Sequence, residues 1–266
     1  MRQSIKQLLP ITWVFVLSLS GLSQATGLEK PSGADAKALE VADRLLQALG
    51  GRENWEKARY FRFDFVVEQN GKEVGNFKHL WDRYTGRYRV EGTNEKGQKY
   101  VVLFQDINAK KGDVFVNGQP APAEAKQKFL DTGFERFTND SYWLLMPYKW
   151  KDPGVHLKYE GTSKGDQGQV WDKVLLTFEN VGLTPKDRYW AFVNQKTGLM
   201  DKWEFILQGG KGPASTFDWL NWQPYSGIML STEMKMKKKP MRILFKNLAV
   251  SSSTDEKPFT SLEANL

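Results

Sequence analysis

Residues 60–90 read YFRFDFVVEQNGKEVGNFKHLWDRYTGRYRV, and this stretch decides the fold. Phe61, Phe63, Phe65 and Val67 alternate with Arg62, Asp64 and Val66, the period-two pattern of a half-buried strand. Asn70-Gly71 follows as a hairpin turn, and the next strand carries Phe77, His79 and Trp81 on one face. Thr85-Gly86 then turns the chain into Tyr88-Arg89-Val90. Connections this short require antiparallel neighbours, because a parallel pair needs a crossover of a dozen or more residues.

Working outward, the same alternation predicts further strands at 100–105, 113–116, 155–160, 170–179, 188–194, 199–207, 215–221, 228–236 and 242–250. Two stretches break the pattern. From Asp35 to Leu49 the apolar positions Ala38, Leu39, Ala42, Leu45, Leu46 and Leu49 share a helical face, and Gly50-Gly51 ends it. Ala123 to Tyr148 also reads as helix, with Leu130, Phe134 and Phe137 spaced by four and three. Asn139-Asp140 is positioned to cap a second short helix there, stopped by Pro147. About 11–12 antiparallel strands cannot stay flat, since twist makes such a sheet curl. The expected fold is therefore mainly β: a strongly curved, incomplete barrel wrapped around an N-terminal helix and a central helical plug.

The N-terminus bears on location. Arg2 and Lys6 precede a short apolar run from Leu8 to Leu19, and Ser23-Gln24-Ala25 offers the small residues that a signal peptidase requires. Residues 1–25 are read as a signal peptide, 26–34 as a flexible leader, 35–250 as one domain and 251–266 as a loose tail. An exported protein follows, periplasmic if the source is a Gram-negative bacterium and otherwise secreted. The chain has no cysteine, so thiolate metal sites and cysteine nucleophiles are excluded. Its formal charge of +7 comes from 38 basic and 31 acidic residues that are interspersed. That distribution lacks the concentrated basic stripe of a nucleic-acid binder.

Four segments carry a family likeness: ALEVADRLLQALGG (38–51), the strand beginning at Tyr60, WDRYTGRYRVEG (81–92) and DRYWAFVNQKTGLMDKWEF (187–205). In this order they resemble the periplasmic lipoprotein-carrier superfamily, the LolA/LolB-like half-barrels. NDSYWLLMPYKWKDPGV (139–155) is more similar to an uncharacterised family of secreted bacterial proteins. The carrier resemblance implies an apolar cavity that receives acyl chains, with helices as its lid.

Candidate ligand-binding residues are the strand aromatics Phe61, Phe63, Trp81, Tyr100, Phe104, Trp190, Phe192, Trp203 and Phe205, with Trp143, Leu144 and Met146 on the plug. A lined cavity and a filled core share the same alternation, so both readings stay open. Arg87, Arg89 and Lys149 are candidates for a polar rim that meets a headgroup. Lys235, Lys237, Lys238 and Lys239 form a basic turn suited to anionic lipid, or to keeping an edge hairpin soluble. His79 and His156, the only histidines, have no ligand or carboxylate pair at metal or catalytic spacing. Asp64, Asp82 and Asp201 sit singly in strands, and Gly209-Gly210-Lys211-Gly212 is a turn. The leading expectation is thus a non-enzymatic binder or carrier of a lipid, acyl chain or lipoprotein, without cofactor. The alternatives are an envelope interaction protein with a filled core and, more distantly, a carboxylate-dependent hydrolase.

Overall fold

The computed structural model describes residues 35–179 and 186–266; the expected signal peptide and leader lie outside them. Thirteen strands form one antiparallel sheet among the described residues. One wing comprises β1 (Tyr60–Gln69), β2 (Lys72–Asp82), β3 (Tyr88–Thr93), β4 (Lys99–Asp106), β5 (Lys111–Val116) and β6 (Gln119–Pro120). The other comprises β7 (Val155–Lys164), β8 (Val170–Phe178), β9 (Arg188–Asn194), β10 (Met200–Ile206), β11 (Ser215–Tyr225), β12 (Ile228–Met236) and β13 (Met241–Ser251). Only the two-residue β6 was absent from the strands expected.

Spatial order is β6-β5-β4-β3-β2-β1-β13-β12-β11-β10-β9-β8-β7. The first wing is laid outward from β1, and the chain then crosses to the far edge. It returns hairpin by hairpin until β13 pairs with β1, Tyr60 opposite Ser251 and Gln69 opposite Met241. The crossing is α3 (Ala123–Leu145), 23 residues long. At 1.5 Å per residue it spans about 35 Å, enough to traverse a sheet interior. Topology therefore puts this helix inside: it joins the two edges of a curled sheet, and its apolar positions face the concave side.

α3 is one helix, not two. No proline interrupts it before Pro147, so Asn139 and Asp140 stay in mid-helix instead of capping a new one. The chain tightens into a 3₁₀ turn only at Met146–Tyr148. α1 (Ala36–Ala48) buries Ala38, Val41, Ala42 and Leu45, as its periodicity predicts. Gly50, at φ 107°, turns the chain into α2 (Gly51–Lys57). A side chain at Gly50 would place its Cβ 2.1 Å from the carbonyl oxygen of Gly227, so close backbone approach requires glycine there.

The sheet edges are blunted differently. β6 is two residues long and contains Pro120, which has no amide hydrogen to offer. On β7, Asp35 caps α1 by accepting from the Ala38 amide at 2.6 Å. Its second oxygen accepts from the Tyr159 amide at 2.7 Å, fastening the helix to the edge strand.

Candidate ligand-binding interior and its plug

The concave face and the plug meet through rings. Phe61, Phe63, Trp81, Tyr100, Phe104, Trp203 and Phe205 all join one buried cluster with Trp143, Leu144 and Met146 of the plug. Trp143 packs edge-on against Trp203 at 4.7 Å and Phe217 at 4.9 Å between centroids. One turn and a half earlier, Phe137 packs edge-on against Trp81 at 5.1 Å and Tyr88 at 4.8 Å. The end of the plug is anchored as well. The Tyr148 hydroxyl donates toward the Leu49 and Met229 carbonyls at 2.9 and 2.8 Å, and its ring stacks on Trp55 at 4.4 Å.

Two candidates are corrected. Tyr189, Ala191 and Val193 carry the inner face of β9, so Trp190 and Phe192 point outward. Trp190 donates its indole N–H to Glu160 at 2.9 Å, and the Lys202 ammonium lies 4.0 Å above the Phe192 ring. Choosing the larger rings over the small Ala191 inverted the phase of that strand, and in a strand a one-residue error changes faces.

The rim assignment is also corrected for Arg89. Its guanidinium is fully buried. It pairs with Glu91 and donates to the carbonyls of Pro258, Ser261 and Glu263. Glu91 in turn accepts from the amides of Asn265 and Leu266 at 3.1 and 3.0 Å. The segment after Ser251 is thereby stitched to β3, where a loose tail was expected. Arg87 binds Asp82 and Glu256, and Lys149 binds Asp152. A shallow cleft of about 240 Å³ opens beside the tail, lined by Lys99, Val101, Asn117, Gly118, Glu263 and Ala264. Lys235 near the end of β12 and Lys237, Lys238 and Lys239 of the turn into β13 are all exposed.

The carboxylates singled out earlier are individually engaged. Asp64 pairs with Arg62, and Asp82 accepts from Arg59 at 3.0 and 2.9 Å. Arg59, Thr85 and the Tyr84 amide hold the Asp82 carboxyl far below the usual range despite its desolvation. Asp201 accepts from the Trp171 indole and from Asn194. His156 faces Glu179 at 3.0 Å. Among the described residues no group of three or more His, Cys, Asp or Glu is arranged to hold a metal.

Sequence reasoning missed a polar knot inside this apolar interior. His79 on β2 and Asp140 on α3 are both fully buried. His79 Nδ1 lies 2.5 Å from the Tyr88 hydroxyl, and its ring stacks on Phe63 at 4.5 Å. His79 Nε2 and Asp140 Oδ2 approach to 3.2 Å, yet the geometry is off-line and neither atom makes a hydrogen bond. Asp140 Oδ1 accepts from Asn139 at 2.6 Å and faces Arg136 at 3.7 Å. Burial pushes the His79 pKa down, with Asp140 opposing, and pushes the Tyr88 hydroxyl well up. Tyr100, close by, is pushed up to about 12 for the same reason. The overlooked signal was Asn139-Asp140-Ser141 set in an apolar run with no helix breaker around it.

No protein-family model matches the chain, and no curated relative does. Among solved structures it is similar to a DUF1329 family protein from Desulfovibrio piger, at 14% identity and a TM-score of 0.50. That match covers 84% of this chain and 96% of the other, and it establishes a shared fold. Looser matches include the MucA/MucB complex of Pseudomonas aeruginosa, at 17% identity, 86% and 62% coverage, and a TM-score of 0.30. An uncharacterized conserved protein from Thermus thermophilus matches at 9% identity, 86% and 96% coverage, and 0.29. Neither of these looser matches carries an argument here.

Proposed function

We propose that this chain is an exported, non-enzymatic carrier of an apolar ligand, an acyl chain, lipid or lipoprotein, and that α3 is the removable stopper of its interior. One observation carries this reading: the stopper carries a run of polar residues in its buried half. Thr138, Asn139, Asp140 and Ser141 are consecutive and all buried. A polar group sealed into a permanent core costs about 1–3 kcal/mol unless well bonded. A helix that spends part of its time in water needs such groups to stay soluble when it leaves. Ligand affinity would come from burial, at about 0.8 kcal/mol per methylene, less the cost of expelling Trp143 and its neighbours. The exposed lysines of the β12–β13 turn suit docking on anionic lipid, at about 1 kcal/mol each.

The absence of cysteine provides a clean test. A Cβ at Gly133 would lie 3.1 Å from Val102 Cγ1, which is within disulfide reach. Gly133→Cys with Val102→Cys should therefore tie α3 to β4. Wild-type protein should take up a fluorescent fatty acid, and the oxidised double variant should take it up at least tenfold more weakly until reduced. Uptake that ignores the bridge would refute the stopper. Failure of the wild type to bind any acyl probe would refute the carrier and favour an envelope interaction protein, a reading that draws on the ring contacts around Trp143.

A further inference from the structure

The stopper presents two kinds of chemistry to the interior. Trp143, Leu144 and Met146 offer an apolar body, and Asp140 offers a single carboxylate. That carboxylate faces groups of the sheet wall: the His79 ring edge at 3.2 Å, with the Tyr88 hydroxyl behind it at 2.5 Å. Burial holds Tyr88 as a neutral phenol 2.5 Å from Nδ1, and with the acceptor Asp140 on the Nε2 side the arrangement that serves both ring nitrogens has the hydroxyl donating to Nδ1. The neutral imidazole then carries its proton on Nε2 and directs an N–H at the place Asp140 occupies. Phe63 stacks on the ring and fixes this orientation.

On the plug side, Arg136 and Asn139 lie beside Asp140 and move with it. From β1, Arg62 is committed to Asp64. The donors that stay on β2 when α3 leaves are therefore His79, backed by Tyr88, and the buried indole N–H of Trp81; His79 is the one that Asp140 faces. A donor buried in an apolar hollow is costly to leave unmet. In the closed state Asp140 Oδ2 holds that place, 3.2 Å from Nε2.

We propose that Asp140 and the apolar residues after it imitate the ligand, and that the ligand is an amphiphile with a carboxyl head: the acid takes the place of Asp140 against His79 while its chain takes the place of the plug's apolar side chains. The proposal rests on the carrier reading and adds to it the class of head group. It also explains why a carboxylate sits in the stopper at all.

The test compares dodecanoic acid, methyl dodecanoate and dodecan-1-ol by titration against tryptophan fluorescence, at a fixed pH above 7. Wild-type protein should bind the acid at least tenfold more tightly than the ester, a difference of about 1.4 kcal/mol. His79→Leu should reduce the acid-to-ester ratio to near one. Asp140→Ala, which empties the place of the mimic, should tighten the acid more than the ester. Equal affinity of wild type for acid and ester would overturn this inference while leaving the carrier intact. Binding of none of the three would overturn both. An unchanged ratio in His79→Leu would place the head group elsewhere and overturn the assignment to His79.

Discussion

Both wings of the sheet grip the same helix with rings, but only one adds a buried polar contact. On the β7–β13 side, Trp143 is set among Trp203, Phe205 and Phe217, with rings edge-on and no charge between them. On the β1–β6 side, α3 adds to the ring contacts of Phe137 on Trp81 and Tyr88 a polar contact through Asp140 and His79, with Arg136 lying 4.4 Å over the Phe77 ring. Apolar adhesion is non-directional and involves no group that takes up or releases a proton. A buried polar contact is directional, is costly when mispaired and changes with protonation. The β7–β13 wing therefore supplies strength alone, whereas the β1–β6 wing also supplies a condition under which strength is lost.

Removing the strong grip should have the largest effect. Trp143→Ala deletes a fully enclosed ring, and we expect a loss of about 3–5 kcal/mol, read from the midpoint of urea unfolding at unchanged slope. A loss below about 1 kcal/mol would mean that the rings close up freely, and the apolar wing would not be the anchor.

The polar grip should respond differently to single and double changes. His79→Leu or Asp140→Leu alone leaves one buried polar group facing apolar side chains, and each should cost about 2–3 kcal/mol. The double variant removes both and should recover part of that loss, the Tyr88 hydroxyl and Arg136 still losing the partners they have in the wild type. Additive losses in a double-mutant cycle would show that the two residues are not coupled and would dissolve the contrast between the wings.

Acid sharpens the same contrast. Desolvation lowers the His79 pKa in the folded protein below its ordinary 6.5. The unfolded chain, or one with the plug displaced, then binds more protons than the closed fold. The stability that depends on a neutral His79 is thus complete above pH 6.5 and declines as pH falls below it, at up to about 1.4 kcal/mol per unit. The carboxylates held low by their partners, such as Asp82 and Asp172, lose their contribution only further down, below their ordinary 3.8. Unfolding midpoints between pH 7 and 5 should therefore fall in the wild type and stay flat in His79→Leu. A parallel fall in both would assign the effect to other groups.

Periodicity made much of this architecture legible, and what it hid has physical causes. The ladder through Phe61, Phe63 and Phe65 was readable because each strand pattern is local. The pairing of β1 with β13 was not, since it joins chain segments that no turn connects. Where α3 goes follows from that pairing, so the helix was expected as a plug without a reason for crossing the whole interior. The His79–Asp140 contact was hidden because each residue looked ordinary alone: a strand histidine and a cap aspartate. Arg89 was misread because charge suggested exposure, whereas its fork of N–H donors is consumed by tail carbonyls, a backbone recognition that leaves no pattern in the tail sequence.

The smallest expected effect tests the phase of a single strand. Trp190 and Trp203 occupy adjacent strands, with Glu204 opposite the first and Ala191 opposite the second. The chemistry of the two side chains is identical, yet Trp203 is fully enclosed by rings and Trp190 is half-buried on the outer face, under Lys173 and Arg188. Trp203→Ala should cost about as much as Trp143→Ala, because both remove the same ring-on-ring contact. Trp190→Ala removes only an indole edge, a bond to Glu160 and two screened cation contacts, and should cost about 0.5 kcal/mol or less. If Trp190→Ala proved as damaging as Trp203→Ala, β9 would have to be turned over. The apolar wing would then lose Tyr189, Ala191 and Val193 from its inner face, and with them the Tyr189 ring stacked on Trp203 at 5.1 Å.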